Sequence, residues 1–364
     1  MTEIRALTGI RAIAALWVVL HHYYEFLVKL WPPLTVIEPV AAGGRLGVEL
    51  FFTLSGFILT YTYVDKFRVP TVPEYKRFLN ARLARLYPVH LMCLAGLAVI
   101  VAAGHLLHLN LRTGDMYTLS GLLASVFLVQ AWGDHAYATW NFVAWSVSAE
   151  WFAYLTFPLT ALLFWRVRTM WSAVLIAAVA LVVTIMLFQY GGLSAVSPFD
   201  HRGLLRIIGC FLAGAMMYWL YRHGVGRTWA WSVLVPVNAL LIIVGLYVTS
   251  AATATLPWFA LLMPTLILGL AWHDRGALTT RPALYWGRVS YSLYMTHLIV
   301  KQVVGEVLPP ERFMGSVVGS VVGTLVYLVP VAVVAMLMYH VVEEPGRRLI
   351  RRVGSRRVQP AVAS

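Results

Sequence analysis

The sequence predicts an all-α, polytopic membrane protein, and three observations carry that prediction. Of its 364 residues, 60 % are hydrophobic and only 12 % charged, against a charged share of roughly 25 % in soluble domains. Apolar runs of the length a bilayer demands, about 20 residues, recur along the chain. The basic residues between them gather in alternate connections, as the positive-inside rule requires. This composition excludes a secreted disulfide domain, a disordered chain and a soluble dinucleotide-binding enzyme. The net charge of +13, from 28 Lys and Arg against 15 Asp and Glu, would suit nucleic acid only if a basic face met water. Most of this chain would face lipid, so membrane lipid is the expected surrounding and nucleic acid is not an expected partner.

Ten runs read as spans: residues 7–30, 46–64, 86–104, 142–165, 171–190, 203–221, 229–249, 254–272, 286–306 and 315–341. The first begins like a signal peptide, but His21, His22, Tyr23 and Tyr24 follow its apolar stretch where a cleavage site would need small residues, so it reads as an uncleaved helix. An eleventh stretch, 118–132, is short for a span and reads as a re-entrant or interfacial piece. With the N-terminus inside, the inner connections hold Lys66, Arg68, Lys76, Arg77, Arg82 and Arg85, and the tail holds Arg347, Arg348, Arg351, Arg352, Arg356 and Arg357. Both termini are then cytoplasmic. Were 118–132 to span, every later loop would flip and the arginine-rich tail would lie outside. Residues 1–345 read as one transmembrane domain and 346–364 as a basic cytoplasmic tail.

Ionisable groups within a span are functional hypotheses until a partner explains them, and Arg11, His22, Glu150 and His297 are the important cases. Arg11 and His22 lie eleven residues apart on the first helix, within about 20° of one face and about 16 Å apart along the axis. They line one stripe, or they snorkel to opposite surfaces. His22 and Glu150 are each expected about 12 Å below the outer surface, where a carboxylate beside an imidazole would fix its tautomer. Mutual satisfaction of the two explains that placement as well as catalysis does. Arg82 and Arg85, three residues apart at the inner mouth of the third span, suit a phosphate, although contact with anionic lipid explains the spacing better. Gly44 and Gly47 open the second span for close helix approach, with Glu49, Thr53 and Ser55 turned inward. Cys93 and Cys210 lie in apolar runs, and His105 and His108 lack a third ligand. No metal site is expected.

Taken together, several stretches resemble the acyltransferase 3 family of integral membrane acyltransferases, here of the O-acetyltransferase type. They are Thr8 to Arg11 with His22; Gly47-Val-Glu49 through Ser55-Gly56-Phe57; Arg82 and Arg85 before Leu-Tyr-Pro88; Trp145-Ser146-Val-Ser148-Ala-Glu150; Gly287 through Ser290-Tyr291 to Tyr294 and His297; and Glu344-Pro345. The resemblance implies a ten-helix domain in the bacterial cytoplasmic (inner) membrane. Such a domain moves an acyl group, by default acetyl, from cytoplasmic acyl-CoA to a hydroxyl of an extracytoplasmic glycan or glycolipid. Acyl-CoA is then a donor substrate, with no permanently bound cofactor. The family's critical pair maps to Arg11 and His22, its acidic position to Glu150 and its arginines at the third helix to Arg82 and Arg85. This chain departs from the family in carrying Glu49 where Asp is usual, and in lacking an appended SGNH-type domain.

The expected mechanism has Arg82 and Arg85 hold the donor's phosphates while Arg11 guides its arm inward. His22, oriented by Glu150, deprotonates the acceptor hydroxyl, with Ser146, Ser148 or Tyr291 donating to the oxyanion and Glu49, Ser55 and His297 in support. An acyl-enzyme relay through His22 or a serine is the variant. A transporter or flippase using the buried Arg, His and Glu is the alternative from another class, and a catalytically silent sensor is a third.

Overall fold

The computed structural model describes residues 2–106, 117–132, 140–190, 202–227, 230–248 and 261–356, and every regular element among them is helical. That follows from the solvent: in hydrocarbon a backbone must satisfy its own N–H and C=O groups, and a chain this apolar does so by coiling into helices. The α-helices are α1 (Arg5–Leu30), α2 (Glu38–Ala42), α3 (Leu46–Tyr63), α4 (Val72–Leu106), α5 (Leu119–Val126), α6 (Trp145–Leu155), α7 (Phe157–Arg166), α8 (Met170–Tyr190), α9 (Arg202–Arg222), α10 (Ala230–Val248), α11 (Leu262–Trp272), α12 (Arg281–Val307), α13 (Val317–Leu337) and α14 (Glu344–Arg356). A π-helical segment, Met338–Glu343, joins the last two.

Six stretches are long and apolar enough to cross a membrane: Arg5–Leu30, Pro32–Phe67, Val72–Gly104, Met170–Leu187, Gly203–Arg222 and Val317–Arg352. The run expected as one helix over 142–165 is instead two helices, α6 and α7, bent by 55°. Pro158 in the first turn of α7 explains the break, since it brings no N–H to the ladder and its ring disfavours a helical residue before it. Counted as one span, the pair makes seven. The runs expected at 229–249 and 254–272 appear as the shorter apolar helices Val235–Val248 and Leu262–Trp272, with 249–260 outside the described residues. Helix α12 has 27 residues, about 40 Å at 1.5 Å per residue, yet its charged ends and interior Ser, Tyr, Thr and His residues leave it less apolar than the six.

The 118–132 stretch, expected as a re-entrant or interfacial piece, holds one short helix and a turn. Its helix, α5, has eight residues, about 12 Å of rise against a hydrocarbon core of about 30 Å. It then turns at the fully buried Leu128, whose φ is 57°. Helices α4 and α6 hold it: Tyr87 Oη donates to Val126 O at 2.9 Å, Ser148 Oγ donates to Leu128 O at 2.8 Å, and Trp132 Nε1 donates to Ser148 O at 3.0 Å.

Around α1 the bundle is tight. Helix α1 runs along α12 and α3, α3 runs along α9, and α9 along α8. At the α3–α9 crossing a Cβ on Gly56 would collide with Phe211 O and one on Gly214 with Thr53 O, so neither position admits a side chain. The residues expected as a tail from 346 onward begin as helix α14, which lies on α4 with Gly346 against Pro88 and Asn80 Nδ2 at 3.5 Å from Ile350 O. His108 and everything after Arg356 lie outside the described residues.

Candidate active site

Two cavities open along α1. The inner one, of about 50 Å³, is lined by Arg11, Phe51, Ser146, Glu150, Ser290 and Tyr294 among others, enough for a water or two. The other, of about 280 Å³, lies toward the N-terminal end of α1, and Arg11, Arg85, Arg288 and Arg347 line it together with the single carboxylate of Glu3. Arg11 borders both cavities, so its side chain stands at their junction. Its Nε reaches Gly287 O at 3.4 Å and its guanidinium lies 5.5 Å from the Phe51 ring centre. Gly287 makes this contact possible, because α12 there approaches α1 so closely that a Cβ would strike Thr8 O.

Arg82 and Arg85 diverge from α4 instead of forming one clamp. Arg85 turns to the arginine-lined cavity, ion-pairs with Glu343 and lies 5.2 Å from the Tyr291 ring centre. Arg82 turns away into an aromatic nest, 5.1 Å from the Tyr63 ring centre and 5.9 Å from those of Phe78 and Tyr154, with Nη2 donating to Tyr63 Oη at 3.0 Å. Three residues along a helix subtend about 300°, so a pair that shares a surface stripe can still enter different clefts. The arginines that do share a cavity with Arg85 come from α1, α12 and α14, a grouping that no local spacing in the sequence announces.

Farther along α1, His22 meets His297 rather than Glu150. His297 Nδ1 lies 2.6 Å from Tyr294 O, His22 Nδ1 lies 2.9 Å from Val18 O, and His297 Nε2 lies 3.2 Å from His22 Nδ1. A carbonyl can only accept, so both Nδ1 atoms carry protons when the rings are neutral, and His297 Nε2 is the acceptor for His22. His22 Nε2 is therefore left with its lone pair. The fully buried His297 is fixed again from behind, since Tyr23 Oη donates to its backbone oxygen at 2.8 Å. Phe142, at 6.4 Å from the His22 ring, and Tyr294, at 5.9 Å from the His297 ring, border the pair, and Tyr294 also lines the inner cavity.

Glu150 instead accepts from Ser55 Oγ at 2.7 Å. The expectation that it orients His22 fails because equal depth leaves the direction around the helix open, and α6 begins only at Trp145 after a 3-10 turn at Phe142–Ala144. Ser55 and Glu150 thus form one polar unit beside Arg11. Glu49 is spent elsewhere: it ties α3 to α9 through Arg206, whose Nε donates at 2.7 Å and whose guanidinium lies 4.8 Å from the Trp145 ring centre. Of the three hydroxyls expected to face an oxyanion, Tyr291 Oη donates to Leu86 O at 2.8 Å and Ser148 Oγ to Leu128 O. Ser146 lines the inner cavity, its Oγ 2.7 Å from Tyr294 Oη and 3.1 Å from Val143 O, to which it can donate.

The acyltransferase domain family matches residues 4–340 of this chain. Along 97 % of its length the chain is 29 % identical to the acyltransferase MdmB of Streptomyces mycarofaciens, covering 94 % of that protein. It is 23 % identical to a protein of Acidianus two-tailed virus that carries an acetyltransferase designation, over 82 % of this chain and 83 % of that one. A Staphylococcus aureus (strain COL) protein designated an O-acetyltransferase is 28 % identical over 43 % of this chain and 24 % of its own length. No solved structure matches.

Proposed function

The chain belongs to this acyltransferase family, and from that premise we propose that it is a membrane-embedded O-acyltransferase. It moves an acyl group, by default acetyl, from cytoplasmic acyl-CoA to a hydroxyl of an extracytoplasmic glycan or glycolipid. The observation that carries the reading is the arrangement along α1: an arginine-lined cavity at one end, Arg11 at the junction, and an imidazole with a bare Nε2 farther on. Ten spans with both termini cytoplasmic put the arginines on the side where acyl-CoA is found. The membrane is then the bacterial inner membrane.

In this reading Arg85, Arg288 and Arg347 meet the donor's phosphates, whose charge a guanidinium fork suits, and Arg11 draws the thioester arm toward the inner cavity. His22 Nε2 takes the proton of the acceptor hydroxyl as its oxygen attacks the thioester carbonyl carbon. Ser146 Oγ turns its proton from Val143 O to the oxyanion while still accepting from Tyr294 Oη. When the carbonyl re-forms, the C–S bond breaks and the imidazolium returns its proton to the CoA sulfur. Val18 O and His297 keep His22 in the tautomer this requires, and Glu150, held by Ser55, lines the inner cavity with Arg11. Arg82 supports the fold of the inner mouth rather than the donor.

The test is transfer of radiolabel from acetyl-CoA to an extracytoplasmic glycan pool by purified protein, wild type beside His22→Ala. Label incorporated by the wild type alone is the expected result. An active His22→Ala protein overturns the base assignment, and uptake or lipid scrambling in proteoliposomes without any acyl donor favours a transporter.

A further inference from the structure

The arginine-lined cavity has a buried carboxylate at its back that the proposed chemistry does not use. Glu343 is 0 % exposed, and both of its oxygens are occupied: Oε1 by Arg85 Nη1 from α4, Oε2 by Ser292 Oγ from α12 at 2.6 Å. Such a group is costly to bury unless it is fully paired, and this one stands behind a mouth that gathers cationic side chains. It closes the π-helical segment Met338–Glu343, a local irregularity frequent at functional sites. That segment also carries Tyr339, which lines the cavity, and the next helix carries Arg347, which lines it too.

We infer that Glu343 is a positioning residue for the donor site. With Glu343 at one nitrogen and the Tyr291 ring 5.2 Å away, the guanidinium of Arg85 is fixed in direction. Its side chain keeps 20 % of its exposure and lines the cavity. A guanidinium has five N–H groups in a rigid fork, so one end can serve Glu343 while the other serves a phosphate. Left loose, Arg85 would lose rotamer freedom each time a donor bound. Held by Glu343, it meets the phosphate already in place. This inference rests on acyl-CoA being the donor.

The experiment measures binding of radiolabelled CoA to protein in nanodiscs, and donor KM and kcat for label transfer to the glycan pool. E343A should raise both the Kd for CoA and the donor KM about tenfold with kcat within about twofold, the signature of lost donor binding. E343Q should stay within about threefold of wild type, because its amide oxygen still accepts from Arg85 and its amide nitrogen donates to the Ser292 hydroxyl. That rescue separates positioning from a need for charge. If the wild type binds no CoA, the donor reading falls and takes this inference with it. If the wild type binds and a folded E343A binds equally well, or loses kcat at unchanged KM, the inference alone is overturned. Should E343A not fold, S292A carries the test: it removes only the hydroxyl on Oε2 and should raise the CoA Kd about threefold, and an unchanged Kd overturns the inference.

Discussion

In the proposed mechanism the two ends of α1 do opposite kinds of work. Near Arg11 the chain supplies four guanidiniums from four helices to one cavity, a cluster in which each charge is partly replaceable by its neighbours. At His22 the proposed proton transfer falls to one atom, the Nε2 of an imidazole held through its Nδ1 by Val18 O and His297. The difference teaches that recognition of a highly charged donor can be spread over many weak contacts, whereas proton transfer is concentrated on one atom whose tautomer must be right. Mutations at the two ends should therefore differ in size as well as in kind.

The largest effect tests the concentrated end. His22→Ala should lower transfer by about 10² to 10⁴-fold while CoA binding stays unchanged, and a parallel loss of CoA binding would merge the two ends into one site. Next in size is His297→Ala, which removes one of the two acceptors of the His22 Nδ1 proton and leaves Val18 O as the other. It should lower kcat by about 10- to 100-fold, as loss of a partner that orients a functional imidazole commonly does, and stopped assays at saturating donor will read it. A smaller effect belongs to the distributed end. Arg288→Ala should raise donor KM by about tenfold or less and leave kcat alone, so a collapse of kcat there would show that the arginines are not interchangeable. The smallest effect on activity comes from outside both ends. Ser148→Ala leaves Leu128 O and Ala131 N without the hydroxyl they share, at about 1–3 kcal/mol for each buried group left unpaired. Thermal unfolding should shift downward, with donor KM unmoved.

How much of this could be read in the sequence follows the same division. Apolar runs locate α1, α3, α4, α8, α9 and α13 because lipid exposure demands them residue by residue. The break between α6 and α7 was visible only as Pro158, which a hydropathy count passes over. Arg11, His22, Glu150 and His297 stand out because charge within a span is expensive, but their partners do not. Depth along a helix is arithmetic, while the angle at which a side chain leaves it depends on how neighbouring helices pack, so Glu150 found Ser55 and His22 found His297. Glu343 was hidden for a different reason. It sits beside Glu344 at the end of an apolar run, and only the π-helical segment turns it inward to Arg85 and Ser292.

One consequence follows from Arg347 sharing a cavity with Arg11. Helix α1 is synthesised before α14, and the cavity beside it lacks one wall until α14 has been translated and has settled on α4. A nascent chain therefore presents His22 to the membrane long before it has a complete donor cavity. If acyl-CoA is the donor, as proposed, the order of synthesis itself delays its capture until α14 has settled on α4.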